Sequence, residues 1–205
     1  MRSENPVSQF GPVYPQSTKA IIMVHGRGSS GEDIFYSLND ELPIGNFLTI
    51  APTATRNTWY PFSFLAPLDQ NEPYLNDSLA RLKTLLAELL VQGYKAEDIY
   101  LLGFSQGACL ILEFAARNAT KLGGIFALSG GLIGYSLNTS NYKGNFEGTP
   151  VFLGCSENDA HIPLLRVKES SGILRDMGAL VTEKIYPGTG HTIYGDEIIT
   201  ISQML

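Results

Sequence analysis

Ser105 stands between two glycines in Gly103-Phe104-Ser105-Gln106-Gly107, directly after one continuous apolar run and directly before another. The pattern G-x-S-x-G in that context describes a strand that hands over to a helix through a very sharp turn. The turn lifts the hydroxyl clear of the backbone, and side chains at 103 and 107 would clash with the elements crossing there. A helix N-terminus beneath the serine favours the negative charge that develops during acyl transfer. The same five residues could also form a tight turn with an N-capping serine and no chemistry.

A serine nucleophile needs a general base, and histidine takes and returns a proton near neutral pH. The chain has three, His25, His161 and His191. The order nucleophile, acid, base that accompanies this kind of elbow excludes His25. His191 lies in the turn-rich Pro187-Gly188-Thr189-Gly190-His191, just beyond an expected strand, and is the expected base. His161 is too close in sequence to the expected acid and is read as facing solvent or bracing its loop. The acid is Asp159, in the loop after another apolar strand, where it would hold the imidazole tautomer. Glu157 competes as a solvated loop carboxylate, and Asp196 follows the histidine and breaks the order.

Acyl transfer also needs donors aimed at the oxyanion. The backbone N–H of Gln106 is one expectation. The backbone N–H of Arg27, in His25-Gly26-Arg27-Gly28-Ser29-Ser30, is the other, with His25 bracing that loop through its ring nitrogens. Gly26, Gly28 and Gly31 match the spacing of a dinucleotide loop, but no acidic ribose partner follows on a second strand and no Walker lysine is present. The segment 52–73 holds Trp59, Tyr60, Phe62, Phe64 and Leu65 among four prolines. No helical or strand period would bury them on one face, so Trp59 and Phe62 are expected to wall a substrate groove.

The elements that must position these residues read as a strand–helix alternation. Apolar runs at 19–25, 47–51, 99–104, 123–128 and 151–155 have the character of strands buried on both faces, and 180–186 alternates as an edge strand does. Helices are expected at 76–92, 106–118, 163–177 and over part of 191–205. The first has Asn76 or Asp77 as N-cap, Leu79, Leu82, Leu85, Leu86, Leu89 and Leu90 on one face, and Gly93 as terminator. The second is apolar nearly all round. Such alternation predicts a mostly parallel central sheet with helices on both faces, and a site beyond the carboxyl ends of its strands.

The chain has 205 residues and a formal net charge of −6, with no cluster of Lys and Arg. That argues against nucleic acid as a partner. No apolar stretch is long enough to span a bilayer and the first residues lack a signal-peptide core, so a cytoplasmic location is expected. Cys109 and Cys155 each lie in an apolar run and are expected as buried free thiols, not as metal ligands or a disulfide.

Taken together, HGRGSSGED, NTWYPFSFL, LLGFSQGACLILEFAARN, ENDAHIP and YPGTGHT resemble the phospholipase/carboxylesterase family of α/β-hydrolases, which includes carboxylesterases and acyl-protein thioesterases. The resemblance runs from Lys19 to His191. It implies a single α/β-hydrolase domain over 1–205 with a short N-terminal extension at 1–18, the early antiparallel strands missing or reduced, and no lid domain. It implies Ser105, Asp159 and His191 as catalytic residues, Arg27 and Gln106 as oxyanion donors, no cofactor or metal, and dimers in several members. Ala160 departs from the proline that the family often has there, which should loosen the acid loop slightly. The expected activity is hydrolysis of short to medium carboxylic esters. Acyl-protein thioesterase or lysophospholipase activity would use the same residues, and a non-catalytic small-ligand binder is the alternative of another class.

Overall fold

The computed structural model describes residues 6–205. The sheet is built from β1 (Val7–Phe10), β2 (Ala20–Val24), β3 (Leu48–Pro52), β4 (Ile99–Phe104), β5 (Gly124–Leu128), β6 (Pro150–Ser156) and β7 (Leu180–Tyr186). They lie in the order β1-β3-β2-β4-β5-β6-β7, all parallel except β1, which runs antiparallel to β3. Part of the expected N-terminal extension is therefore a strand, reduced to one short edge element. Residues 1–5 of that extension lie outside the described residues.

The helices are α1 (Gly31–Leu38), α2 (Tyr74–Val91), α3 (Gln106–Arg117), α4 (Leu164–Asp176) and α5 (Gly195–Ser202). Alternate residues of each inner strand feed two separate cores, as the pleat requires. Ile99 and Leu101 of β4 pack with α2, α3 and α4, whereas Tyr100 and Leu102 pack with α1 and α5. The fold is the expected α/β architecture with both faces covered. Among the described residues no helix is long and apolar enough to cross a membrane.

Two local expectations are corrected. Helix α2 begins at Tyr74, not at Asn76 or Asp77, because the Glu72 carboxylate accepts from the Asn76 N–H at 3.0 Å and caps the first turn from outside. Its buried stripe runs through Leu75, Leu79, Leu82, Leu85 and Leu89, while Leu90 is 44% exposed. Gly93 does terminate the helix, with φ of +107°. Helix α1, not foreseen from the sequence, is capped by the Ser30 hydroxyl, which accepts from the Asp33 N–H at 3.1 Å.

Candidate active site

Strand β4 ends at Phe104 and α3 starts at Gln106, so Ser105 alone makes the turn. Its φ of 54° and ψ of −117° put a non-glycine residue in a strained region. The backbone is held there by the Ser105 N–H, which donates to Leu128 O at 2.9 Å. The flanking glycines are required by space. A Cβ on Gly103 would stand 2.6 Å from the Gly107 carbonyl carbon, and one on Gly107 would stand 2.6 Å from His25 O. The clash expected from the sequence is thus the observed packing of β4, α3 and the end of β2.

The structure brings Ser105, His191 and Asp159 into one hydrogen-bonded line. His191 Nε2 is 2.8 Å from Ser105 Oγ, and His191 Nδ1 is 2.7 Å from Asp159 Oδ2. The three residues follow β4, β6 and β7, and all lie beyond the carboxyl edge of the sheet. The other carboxylate oxygen, Asp159 Oδ1, accepts from the His161 and Ile162 N–H groups at 2.8 and 3.1 Å. Burial pushes the Asp159 carboxyl up, but the His191 hydrogen bond and those two N–H donors outweigh it and hold it below its ordinary value. An ionised Asp159 can orient the imidazole and stabilise its charged form.

Of the remaining titratable candidates, His161 is exposed. Its N–H braces Asp159, and its ring meets that of His191 at 4.8 Å, edge to face. Glu157 is exposed, and Asp196 is tied to Lys184 at 2.8 Å. His25 is fully buried and accepts from the Ala54 N–H at Nε2, 3.0 Å away. That leaves the proton on Nδ1, which donates to Gly26 O at 2.6 Å. Burial lowers its pKa, which keeps the ring neutral in this role.

The loop after β2 lies against the serine, since a Cβ on Gly26 would be 3.4 Å from Ser105 Cβ. Among the described residues neither the Arg27 nor the Gln106 N–H finds a backbone acceptor. Gln106 N–H belongs to the first turn of α3, whose amides have no partner within the helix.

Trp59 is 2% exposed, and its indole N–H donates to His25 O at 2.9 Å, so most of it packs behind the loop after β2, while it is also one of the residues lining the cavity between the aromatic segment and α2. Tyr60 and Phe64 are buried in the same core. Phe62 is 55% exposed and stays available to a ligand. A cavity of about 780 Å³ opens between residues 54–61 and α2, lined in part by Thr58, Tyr74 and Arg81; Ser105 and His191 do not line it.

Two side chains do work that sequence reasoning missed. The Arg27 guanidinium donates to Thr58 Oγ1 and to the carbonyls of Tyr60, Pro61 and Phe62, at 2.7 to 3.0 Å. The Gln106 amide accepts from the Trp59 N–H at 3.0 Å and donates to Tyr60 O at 2.8 Å. The only hint in the sequence is that each is a long polar residue beside a glycine, Arg27 between Gly26 and Gly28 and Gln106 before Gly107, where a small one would serve the turn.

The profile of the phospholipase/carboxylesterase family matches residues 14–205. An acyl-protein thioesterase 1 of Gibberella zeae is 28% identical over 95% of this chain and 92% of its own length. The carboxylesterase SOBER1 of Arabidopsis thaliana is 22% identical over 87% of this chain and 85% of its own. Among solved structures, a phospholipase/carboxylesterase from Dyadobacter fermentans superimposes with a TM-score of 0.93 at 48% identity, covering 96% of this chain and 94% of that one.

Proposed function

The chain belongs to the phospholipase/carboxylesterase family, and on that premise we propose that it is a serine hydrolase of carboxylic esters with Ser105 as nucleophile. The observation that carries the reading is the unbroken line from Ser105 Oγ through His191 to Asp159. A non-catalytic ligand binder has no use for that line.

The reaction follows from the geometry. His191 Nε2 takes the Ser105 proton as Oγ forms a bond to the ester carbonyl carbon, and the carbonyl electron pair moves onto oxygen. The Arg27 and Gln106 N–H groups serve as donors to that oxyanion. As the carbonyl re-forms, the bond to the leaving alcohol breaks, and the alcohol takes the proton from His191. Water then repeats the sequence on the acyl-enzyme: His191 removes its proton, the new C–O bond forms, and Ser105 leaves with the proton as the acid is released. Phe62, exposed at the end of the segment that Arg27 fastens, is the proposed contact for a short to medium acyl chain.

Thioester cleavage is a second reading, favoured by the name of the fungal relative. It differs only in the leaving thiol. Under either reading the enzyme is taken as cytoplasmic, supported by two buried free cysteines, and as a homodimer, as the family resemblance implies. Initial rates on p-nitrophenyl esters from acetate to palmitate, with Ser105→Ala as blank, test the main reading. Turnover that peaks at one chain length and vanishes in the variant is expected. Folded wild-type protein inert on every ester, and on the matching thioesters, would sink it.

A further inference from the structure

Among the described residues the catalytic line leaves two buried carboxyls unused, Glu113 and Glu197; Glu113 is paired with Arg117 at 2.7 Å, and Glu197 has no cation beside it. Glu197, in the first turn of α5, is completely buried. Its carboxyl fills the place where a side chain on Gly154 of β6 would stand, so any residue but glycine there would collide with it. One oxygen, Oε2, accepts from the Tyr194 N–H at 2.7 Å, and the other, Oε1, has no hydrogen-bond partner. A buried carboxyl oxygen without a partner is costly, and it persists only where something else is gained.

The place of Glu197 in the chain shows what that is. Gly154 lies five residues before Asp159, and Tyr194 lies three residues after His191. The carboxyl therefore sits between the strand that leads to the acid and the turn that follows the base. Alongside it, the Ser156 hydroxyl bonds to Gly190 O, the carbonyl immediately before His191, and lies 2.7 Å from the Tyr194 hydroxyl. The Tyr194 ring stacks on Tyr186 at 4.5 Å. Residues 190–194, which carry His191, are thus pinned to β6 at both ends.

We propose that Glu197 is a positioning residue for His191: seated in the notch left by Gly154, its carboxyl fixes the Tyr194 backbone, and with it the Ser156–Tyr194–Gly190 contacts that hold the imidazole between Asp159 and Ser105. The inference rests on the hydrolase reading for its kinetic consequence, but the placement of the imidazole can be read without any substrate. Misplacing a catalytic group by an ångström from outside the reacting atoms can cost about 100-fold in rate.

Burial supports the assignment by pushing the Glu197 carboxyl up to about 7, with the Tyr194 N–H lowering it and Asp196 raising it. The charged and titratable groups around it are Asp196 on α5, itself paired with Lys184 of β7, then Tyr186 of β7, Cys155 of β6 and Tyr194. None of them supplies a partner for Oε1.

The test compares Glu197→Ala with Glu197→Gln, in ester kinetics and in the proton NMR signal of the His191 Nδ1–H. Glutamine keeps a carbonyl oxygen for the Tyr194 N–H, and alanine does not. The alanine variant is expected to lose about 10- to 100-fold in kcat with KM within about twofold, and to broaden or shift the Nδ1–H signal; glutamine is expected to restore both. A folded alanine variant with wild-type kcat and an unchanged Nδ1–H signal overturns the proposal. If the alanine protein fails to fold, Tyr194→Phe decides, since it removes only the hydroxyl contact to Ser156. A lowered kcat and an altered Nδ1–H signal support the proposal, and wild-type values of both overturn it. Were the wild-type protein to hydrolyse no ester, the hydrolase reading would fail while the NMR comparison still judged the placement of His191.

Discussion

Gln106 Oε1 accepts a hydrogen bond from the Trp59 N–H 3.0 Å away, so the residue after Ser105 also anchors the aromatic segment. Its amide nitrogen donates to Tyr60 O at the same time. Gln106→Ala would keep the backbone N–H proposed for the oxyanion and leave the buried Trp59 N–H without a partner, while Tyr60 O keeps its bond from Arg27. Such a loss costs about 1–3 kcal/mol. We expect thermal unfolding to report a loss of that order, with kcat/KM falling as the segment loosens against Ser105. A variant as stable and as active as wild type would mean that Arg27 holds the segment unaided.

Asp159→Asn should be far more damaging than its near-identical shape suggests. Asp159 Oδ1 accepts from two backbone N–H groups, His161 and Ile162, and only an oxygen can sit there. The asparagine NH₂ is therefore turned toward His191 Nδ1, which must then accept. That forces the imidazole proton onto Nε2, the atom that under the proposed function takes the Ser105 proton. We expect kcat to fall by about 10⁴ with KM nearly unchanged, as wrong-tautomer variants of such triads do. A loss of tenfold or less would show that His191 finds its tautomer without the carboxylate.

The grouping of the candidate site's residues was legible in the sequence where chemistry restricts residue type and order. Gly103 and Gly107 are dictated by the crossing of β4, α3 and β2, and the order of Ser105, Asp159 and His191 follows from strands that all end at one edge. What stayed hidden depends on contacts between segments distant in the chain. Strand β1 is four residues long and pairs on one side only, so it has too little pattern to stand out. Helix α1 spans barely two turns. Trp59 carries no period that would reveal its burial, which comes from Arg27, Gln106 and His25 closing on its segment. Glu197 reads as an ordinary first-turn acid until Gly154 is seen opposite it.

Trp59 and Phe62, three residues apart, should separate cleanly on mutation. Trp59 is buried and bonded to His25 O, so Trp59→Ala is expected to cost about 3–5 kcal/mol, whatever its effect on catalysis. Phe62 is more than half exposed, and Phe62→Ala should leave the melting temperature almost unchanged. Under the proposed function it should instead shift the acyl-chain profile on p-nitrophenyl esters. An unaltered profile in a folded Phe62→Ala protein would remove Phe62 from the groove.

Stability against pH offers a separate handle on Glu197. Its folded-state value is raised from 4.5 to about 7, so the protonated form fits the fold better than the ionised one. The stability that protonation contributes is fully present below about pH 4.5 and is lost as pH rises through about 7. His25 acts in the opposite sense: burial lowers its value below 6.5, and its contribution is present above that pH and lost as pH falls. A wild-type melting curve mixes the two, but the difference between wild type and Glu197→Gln cancels His25. Glutamine is neutral at every pH, so we expect the two proteins to melt alike near pH 4.5 and the variant to melt higher at pH 8. A difference in melting temperature that stays flat from pH 4.5 to 8 would mean that Glu197 ionises in the folded protein as readily as in the unfolded chain.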